Sequence, residues 1–521
     1  MKTQLTDREL RRIQLHRDQR RSQIGRAAVV GVLAGVAAVA FQISVAAAER
    51  TAVWVSLHLP VGLVVLLAAV VGSLAAWVTG RFAPEAGGSG IPHIKAVLIH
   101  LRTLRPIKVI SVKLAGGLLA LAAGMSLGRE GPTVQIGAAV GRLVGDVLKV
   151  PKRSYNALVA AGAGAGLAAA FNAPLAGFLF VMEELKREMS PITYGTALIA
   201  SVCSVAITRY LLGQQASFHI PSAQAPPLSA LGPIALFGVV AGLVGIAFNR
   251  ALLGCLALRT HFKVSPWSAG LVVGAISGLV LVYFPFVSGG GHEITAELLL
   301  GHVTSTNLFW LCLAVCGGKL AFTALSYGTG VPGGIFAPIL VMGAFLGYGF
   351  GLAAHDMAPG ISFGAAGFAT IGMAAVLSSS VRAPLTGVVL IVEMTAEYQL
   401  LYALLVGAFV SYATAELLDD TPIYEALLER DLHRTGQIVS DDAEPQIIEF
   451  LVEPDAEMDG RKIRDLAMPE GALITTITRN NRQLVPRGTS QIRSGDMVTA
   501  VVDGDNLMVS LRLHEMARAP D

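Results

Sequence analysis

Residues 27–430 carry only 38 Asp, Glu, Lys and Arg side chains in 404 positions, about 9%, where a soluble domain carries about 25%. A stretch this long with so little charge excludes a disordered chain and an ordinary soluble globule. It reads as a body that crosses a membrane many times. Irregular backbone is tolerated there only where protein buries it. The flanks differ. Residues 1–26 hold 8 basic and 3 acidic side chains, and residues 431–521 hold 10 basic and 16 acidic, about 29%. The chain is thus a basic N-terminal segment, a large membrane body and a soluble, net acidic tail, with a formal charge of +3 over 521 residues.

Arg8, Arg11, Arg12, Arg17, Arg20 and Arg21 alternate with Leu5, Leu10, Ile13 and Leu15. This basic stretch is too long for a secretory leader, and no cleavage site follows a short apolar core. It predicts an amphipathic helix over 1–24, kept cytoplasmic by the positive-inside rule. Fourteen apolar segments follow between 25 and 417. A full span needs ~20 residues, and 173–183 and 384–395 fall short. They predict half-helices buried in protein. Cys203, Cys255, Cys312 and Cys316 lie in apolar stretches, and the 11 histidines are scattered without an HExxH pattern. These predict packing, with neither a disulfide framework nor a metal site.

The body also repeats itself. At an offset of 210, Gly162 matches Gly372, Leu167 Leu377, Ala173 Ala383, Pro174 Pro384, Leu175 Leu385, Gly177 Gly387 and Glu183 Glu393. An internal repeat of short, Gly/Pro-interrupted segments is a transporter pattern, with the binding site at the repeat interface. The alignment leaves the relative orientation of the repeats open.

Three Gly-rich stretches each open an apolar helix with a proline suited to its first turn. They are Gly87-Gly88-Ser89-Gly90-Ile91-Pro92, Gly128-Arg129-Glu130-Gly131-Pro132 and Gly333-Gly334-Ile335-Phe336-Ala337-Pro338. A helix start offers free N–H groups and the positive end of the dipole. Three such starts converging within a membrane would bind an anion without the full charge of a lysine or arginine. Taken singly, each is equally well a loop between spans.

In order and spacing, these stretches resemble the three signature motifs of the CLC family of chloride channels and chloride/proton antiporters, over roughly residues 25–430. The resemblance implies an all-α polytopic homodimer with one pore per subunit. It also implies an inverted-topology repeat of broken and half-length helices, about 25–212 and 229–417, followed by a pore-lining helix. Ser89 then corresponds to the serine whose hydroxyl contacts the central anion, and serine rather than proline there resembles the chloride-preferring members. The backbone amides of Ile335 and Phe336 and the hydroxyl of Tyr424 correspond to the other chloride contacts. Glu130 resembles the gating glutamate. Ionised, it would compete with chloride for an anion site; protonated, it would swing away. Glu184 corresponds to the internal proton-transfer glutamate of the antiporter branch, whereas Glu183, matched by Glu393, reads as structural. Gly128, Arg129, Gly131 and the buried Lys113 would support the anion path. Lys319 has no assigned role, and Ser326 and Tyr327 would cap or line the third motif.

The tail is expected to begin after a linker at 431–446. Residues 447–453, 472–478 and 497–502 read as strands, 459–466 as a turn and short helix, Asn480-Asn481 as a turn, and Asp505 as the start of a last helix. The stretch from Gly460 to Leu466 and the later Ser494-Gly495-Asp496 resemble the RCK C-terminal (TrkA-C) domain, a small α+β module over 447–521. That resemblance implies regulation by a small molecule or ion, or a passive dimer cap. The expected function is chloride/proton antiport, with a passive chloride channel as the alternative and Glu184 as the discriminating residue. An intramembrane serine protease, suggested by Gly87-Gly88-Ser89-Gly90, leaves the second and third motifs unexplained. No enzyme activity, no cofactor beyond the transported chloride and protons, and no nucleic-acid partner is expected. The expected location is the plasma or inner membrane, with both ends cytoplasmic.

Overall fold

Proline sets where most membrane helices begin. Pro106, Pro174, Pro266 and Pro384 each occupy a first turn, where a missing N–H costs no hydrogen bond. The computed structural model describes residues 7–150, 152–186, 191–214, 218, 225–303, 305–357, 363–435, 446–479, 482–502 and 507–518. These fall into two units, Met1–Leu98 with Leu104–Asp431, and Ile99–Thr103 with Leu432–Asp521.

The first unit is helical. Eight of its described helices are long and apolar enough to cross a membrane: Ser22–His58, Val61–Phe82, Thr193–Leu212, Leu228–His261, Pro266–Tyr283, Leu308–Gly328, Phe336–His355 and Tyr398–Leu417. Peripheral helices expose leucine and valine, as at Leu271, Val272 and Leu279, which suits a lipid-facing surface. Inner helices are shorter and buried, as in Glu130–Val147 and Ala365–Val381. A single helix runs Asp7–His58, because no proline occurs before Pro60.

The two short segments form Pro174–Phe180, continued by a π-helical turn Val181–Lys186, and Pro384–Thr395. They cap each other. Glu393 accepts the N–H groups of Leu175 (3.1 Å) and Ala176 (2.9 Å). Glu183 accepts those of Leu385 (3.1 Å) and Thr386 (2.7 Å). The two acceptors, and the two pairs of donors, are related to each other by the same offset of 210 that relates the sequences. A reciprocal exchange of this kind places an approximate two-fold relation between the repeats. It recurs where Gly137 packs on Gly162 and Gly343 on Gly372, so that helix backbones touch directly.

The second unit has a four-stranded antiparallel sheet. Its strands are β1 (Gln446–Leu451), β2 (Ala472–Arg479), β3 (Arg482–Leu484) and β4 (Met497–Val502), in the order β1-β4-β2-β3. Alternate residues Val498, Ala500 and Val502 are buried, the period of a sheet with one covered face. The helix Leu507–Ala517 contributes Leu513 and Met516 to the same core. The three expected strands and the last helix are present, and β3 is additional. The Asn480-Asn481 turn and most of the expected linker, 436–445, lie outside the described residues.

Candidate functional site

The three glycine-rich loops meet. The N–H of Gly88 donates to the carbonyl of Val331 (3.0 Å), and that of Gly333 to Gly88 (2.9 Å). Gly128 and Gly334 exchange both their N–H···O=C bonds at 2.7 Å. Backbones come so close that a Cβ on Gly131 would lie 2.9 Å from the Cα of Gly334 and 3.0 Å from that of Ser89. Only glycine fits at that position. The helices Ile91–Leu98, Glu130–Val147 and Phe336–Met357 therefore start side by side, and their free N–H groups and dipoles share one region.

Ser89 is fully buried. Its Oγ accepts the N–H of Ile91 (3.3 Å) and faces the Tyr327 hydroxyl at 3.5 Å, while its own N–H donates to that hydroxyl at 3.2 Å. With both lone pairs engaged, its proton remains to donate. Tyr424 is also fully buried, and its ring lies 6.0 Å from that of Phe336. Its hydroxyl has no partner among the described residues, a costly arrangement in a protein interior unless an acceptor is bound there. The donor set fits an anion. Behind Ser89, the buried Lys113 ammonium donates to the carbonyls of Ala86 (2.9 Å) and Gly88 (2.7 Å). It thus clamps the first loop next to Ser89.

Glu130 is fully buried at the start of its helix. The amides of Ile335 and Phe336 do not reach its carboxylate; His292 Nε2 does, at 2.9 Å from Oε1. Glu184 is fully buried on the π-helical turn, where Lys95 Nζ meets its Oε1 at 2.8 Å. The Arg129 Nε is buried without a partner among the described residues.

Two residues of this constellation escaped the sequence reading. Lys95 looks like an ordinary charge near a helix end until Glu184, 89 positions away, is placed on it. His292 follows Gly289-Gly290-Gly291, a fourth glycine run that opens a helix. That run was a readable signal, but it lacks the proline shared by the other three. Lys319 also gains a place. Its ammonium donates to the carbonyls of Val287 (3.2 Å), Ser288 (3.2 Å) and Gly289 (2.6 Å), pinning the loop that leads to His292.

Comparison with known proteins agrees with this geometry. A family model described as voltage gated chloride channel matches residues 71–416, and one described as TrkA-C domain matches residues 447–511. The H(+)/Cl(-) exchange transporter ClcA of Vibrio campbellii is 38% identical over 419 residues, 78% of this chain and 89% of that protein. The ClcA of Yersinia pestis is 36% identical over 426 residues, 79% of this chain and 88% of that protein. Among solved structures, a slow cyanobacterial Cl-/H+ antiporter matches with a TM-score of 0.75 and 32% identity, covering 80% of this chain and 99% of that one.

Proposed function

The chain belongs to the voltage gated chloride channel family, and from that footing we propose that it exchanges chloride for protons across the membrane. The observation that carries the reading is the pair of fully buried carboxylates, Glu130 and Glu184. A carboxylate at membrane depth is costly and marks an ion or proton path. A passive anion path has no use for two.

Chloride is held by the hydroxyls of Ser89 and Tyr424 and by the first N–H groups of the helix that begins at Phe336. These dipoles attract an anion yet release it, because none carries a full charge. Glu130 is the gate. As a carboxylate it competes with chloride for the converging N–H groups; once protonated it loses that attraction and moves aside. Glu184 passes protons to and from the opposite side, with Lys95 as its counter-charge. Gly128, Arg129, Gly131 and Lys113 shape the anion path. The Ser89 hydroxyl bonds Ile91 and Tyr327 and no described histidine, which favours an anion contact over a serine nucleophile.

Family membership supports a homodimer with one path per subunit, a cell-membrane location and cytoplasmic ends. It gives no cofactor a role beyond the transported ions. The TrkA-C domain is read as a regulatory module for a small molecule or ion.

The test is proton movement in liposomes under a chloride gradient with no proton gradient imposed. The expected result is uphill proton flux that reverses with the gradient. Glu130→Gln should abolish proton flux while chloride flux persists, because the amide can neither carry a proton nor present a charge. Coupling that survives Glu130→Gln would overturn the assignment. Chloride flux without proton flux in the unaltered protein would make it a channel.

A further inference from the structure

We propose that His292 is the proton-transfer residue between Glu130 and solvent, an inference that rests on Glu130 being the proton-carrying gate. Glu130 has no exposure of its own, whereas the His292 side chain is 26% exposed. Its Nε2 lies 2.9 Å from Glu130 Oε1, within proton-transfer reach. The other carboxylate oxygen, Oε2, is buried without a partner among the described residues. The imidazole is thus the described side chain that hydrogen-bonds this carboxylate, and it is itself partly exposed.

The ring is held for that task. Phe218 stacks on it at 6.0 Å between centroids, and Phe171 meets it edge-on at 6.4 Å. Its backbone follows a loop fixed from two sides. Lys319 donates to three of the loop's carbonyls, and Glu49 accepts the Gly290 N–H at 3.4 Å. Chloride binding at Ser89 and Tyr424 needs none of these contacts. The ionisable groups nearby are Arg129 beside Glu130, Glu49 and Lys319 behind the loop, and Glu293 and Glu297 on the same helix, Glu297 being paired with His302. Of the helices packed on His292–Leu299, Ala365–Val381 brings no ionisable side chain, and Phe336–Met357 carries Tyr348, His355 and Asp356 only on later turns.

An imidazole can take a proton on one ring nitrogen and give one from the other. A proton from water adds to Nδ1, and the imidazolium gives its Nε2 proton to Glu130. The carboxylate becomes a neutral acid, and the ring is left neutral with its proton on Nδ1. The starting tautomer returns when water takes the Nδ1 proton and another proton from water is placed on Nε2. The reverse sequence returns the proton to water.

The experiment measures chloride-driven proton flux in liposomes for His292→Ala and His292→Gln, each with and without Glu130→Gln. Glutamine keeps a hydrogen bond to Glu130 but cannot relay a proton. Both single variants should lose about tenfold in exchange rate, the low side of the ~10²–10⁴ a placed acid–base group contributes, since water partly replaces it. Added imidazole should restore His292→Ala. In the Glu130→Gln background, chloride flux should be the same with histidine, alanine or glutamine at 292. Exchange at the unaltered rate in His292→Gln would show that only the hydrogen bond matters and would overturn the proposal. So would an equal loss of chloride flux in the Glu130→Gln background, which would mark a packing role. A Glu130→Gln variant that still couples protons would instead remove the gate reading on which the proposal rests.

Discussion

Lys95 and Glu184 show how much one residue's environment decides. Lys95 is 8% exposed and Glu184 not at all, and their charged atoms are 2.8 Å apart. An ion pair so far from water is only weakly stabilising as a unit, since desolvation offsets attraction. Removing one partner is more costly, up to roughly 3–5 kcal/mol, because a buried charge loses its ion-pair partner, though Lys95 also lies 4.0 Å from Glu425. Lys95→Met alone should therefore lower the thermal midpoint in detergent sharply. Lys95→Met combined with Glu184→Leu should recover most of that loss. If the two single losses simply add, the residues are not coupled and the pair is not a unit. Proton flux separates structure from function here, because the double variant should be stable yet uncoupled.

The reciprocal caps are a property of elements. Each short helix has its first N–H groups satisfied by a carboxylate of the other repeat, and such a contact near a helix N-terminus contributes about 1 kcal/mol. Glu183 also accepts the Thr386 hydroxyl at 2.7 Å, a contact without a counterpart at Glu393. Glu183→Gln should thus cost more than Glu393→Gln by about one hydrogen bond, ~1 kcal/mol, read as the difference between their thermal midpoints. Equal losses would mean that the hydroxyl contact adds nothing. This symmetry was legible in the chain because its marks are local: a proline starts each helix and a glutamate follows nine residues later. The converging loops were legible for the same reason, since glycine and proline mark broken helices wherever they occur. His292 and Lys95 were not. Their importance lies in contacts 162 and 89 positions away along the chain, and no periodicity carries that information.

At the scale of the molecule, each unit has its own hydrophobic core. The tail core gathers Phe450, Val452, Ile477, Val498 and Leu513, and every member of it lies after residue 449. A chain ending at Thr435 should therefore keep its helical unit and its chloride-driven proton flux, with any regulation by a tail ligand lost. The tail also carries an acid-sensitive element. Asp496 is buried at the edge of β4, and burial alone would raise its carboxyl. Hydrogen bonds from Arg479 and from the Arg493 N–H, with the charges of both arginines, hold it below the ordinary value instead. A depressed carboxyl contributes stability that is present above its unfolded pKa of about 3.9 and is lost as pH falls through the folded value. The full-length protein should show a tail transition, read by β-sheet circular dichroism or by proteolysis between 436 and 521, that moves to lower temperature as pH drops below ~4. Asp496→Asn should lower that transition at neutral pH by about 2 kcal/mol, the scale of a charged hydrogen bond, and should flatten its acid dependence. An unchanged acid limb in Asp496→Asn would place the sensitive carboxylate elsewhere in the tail.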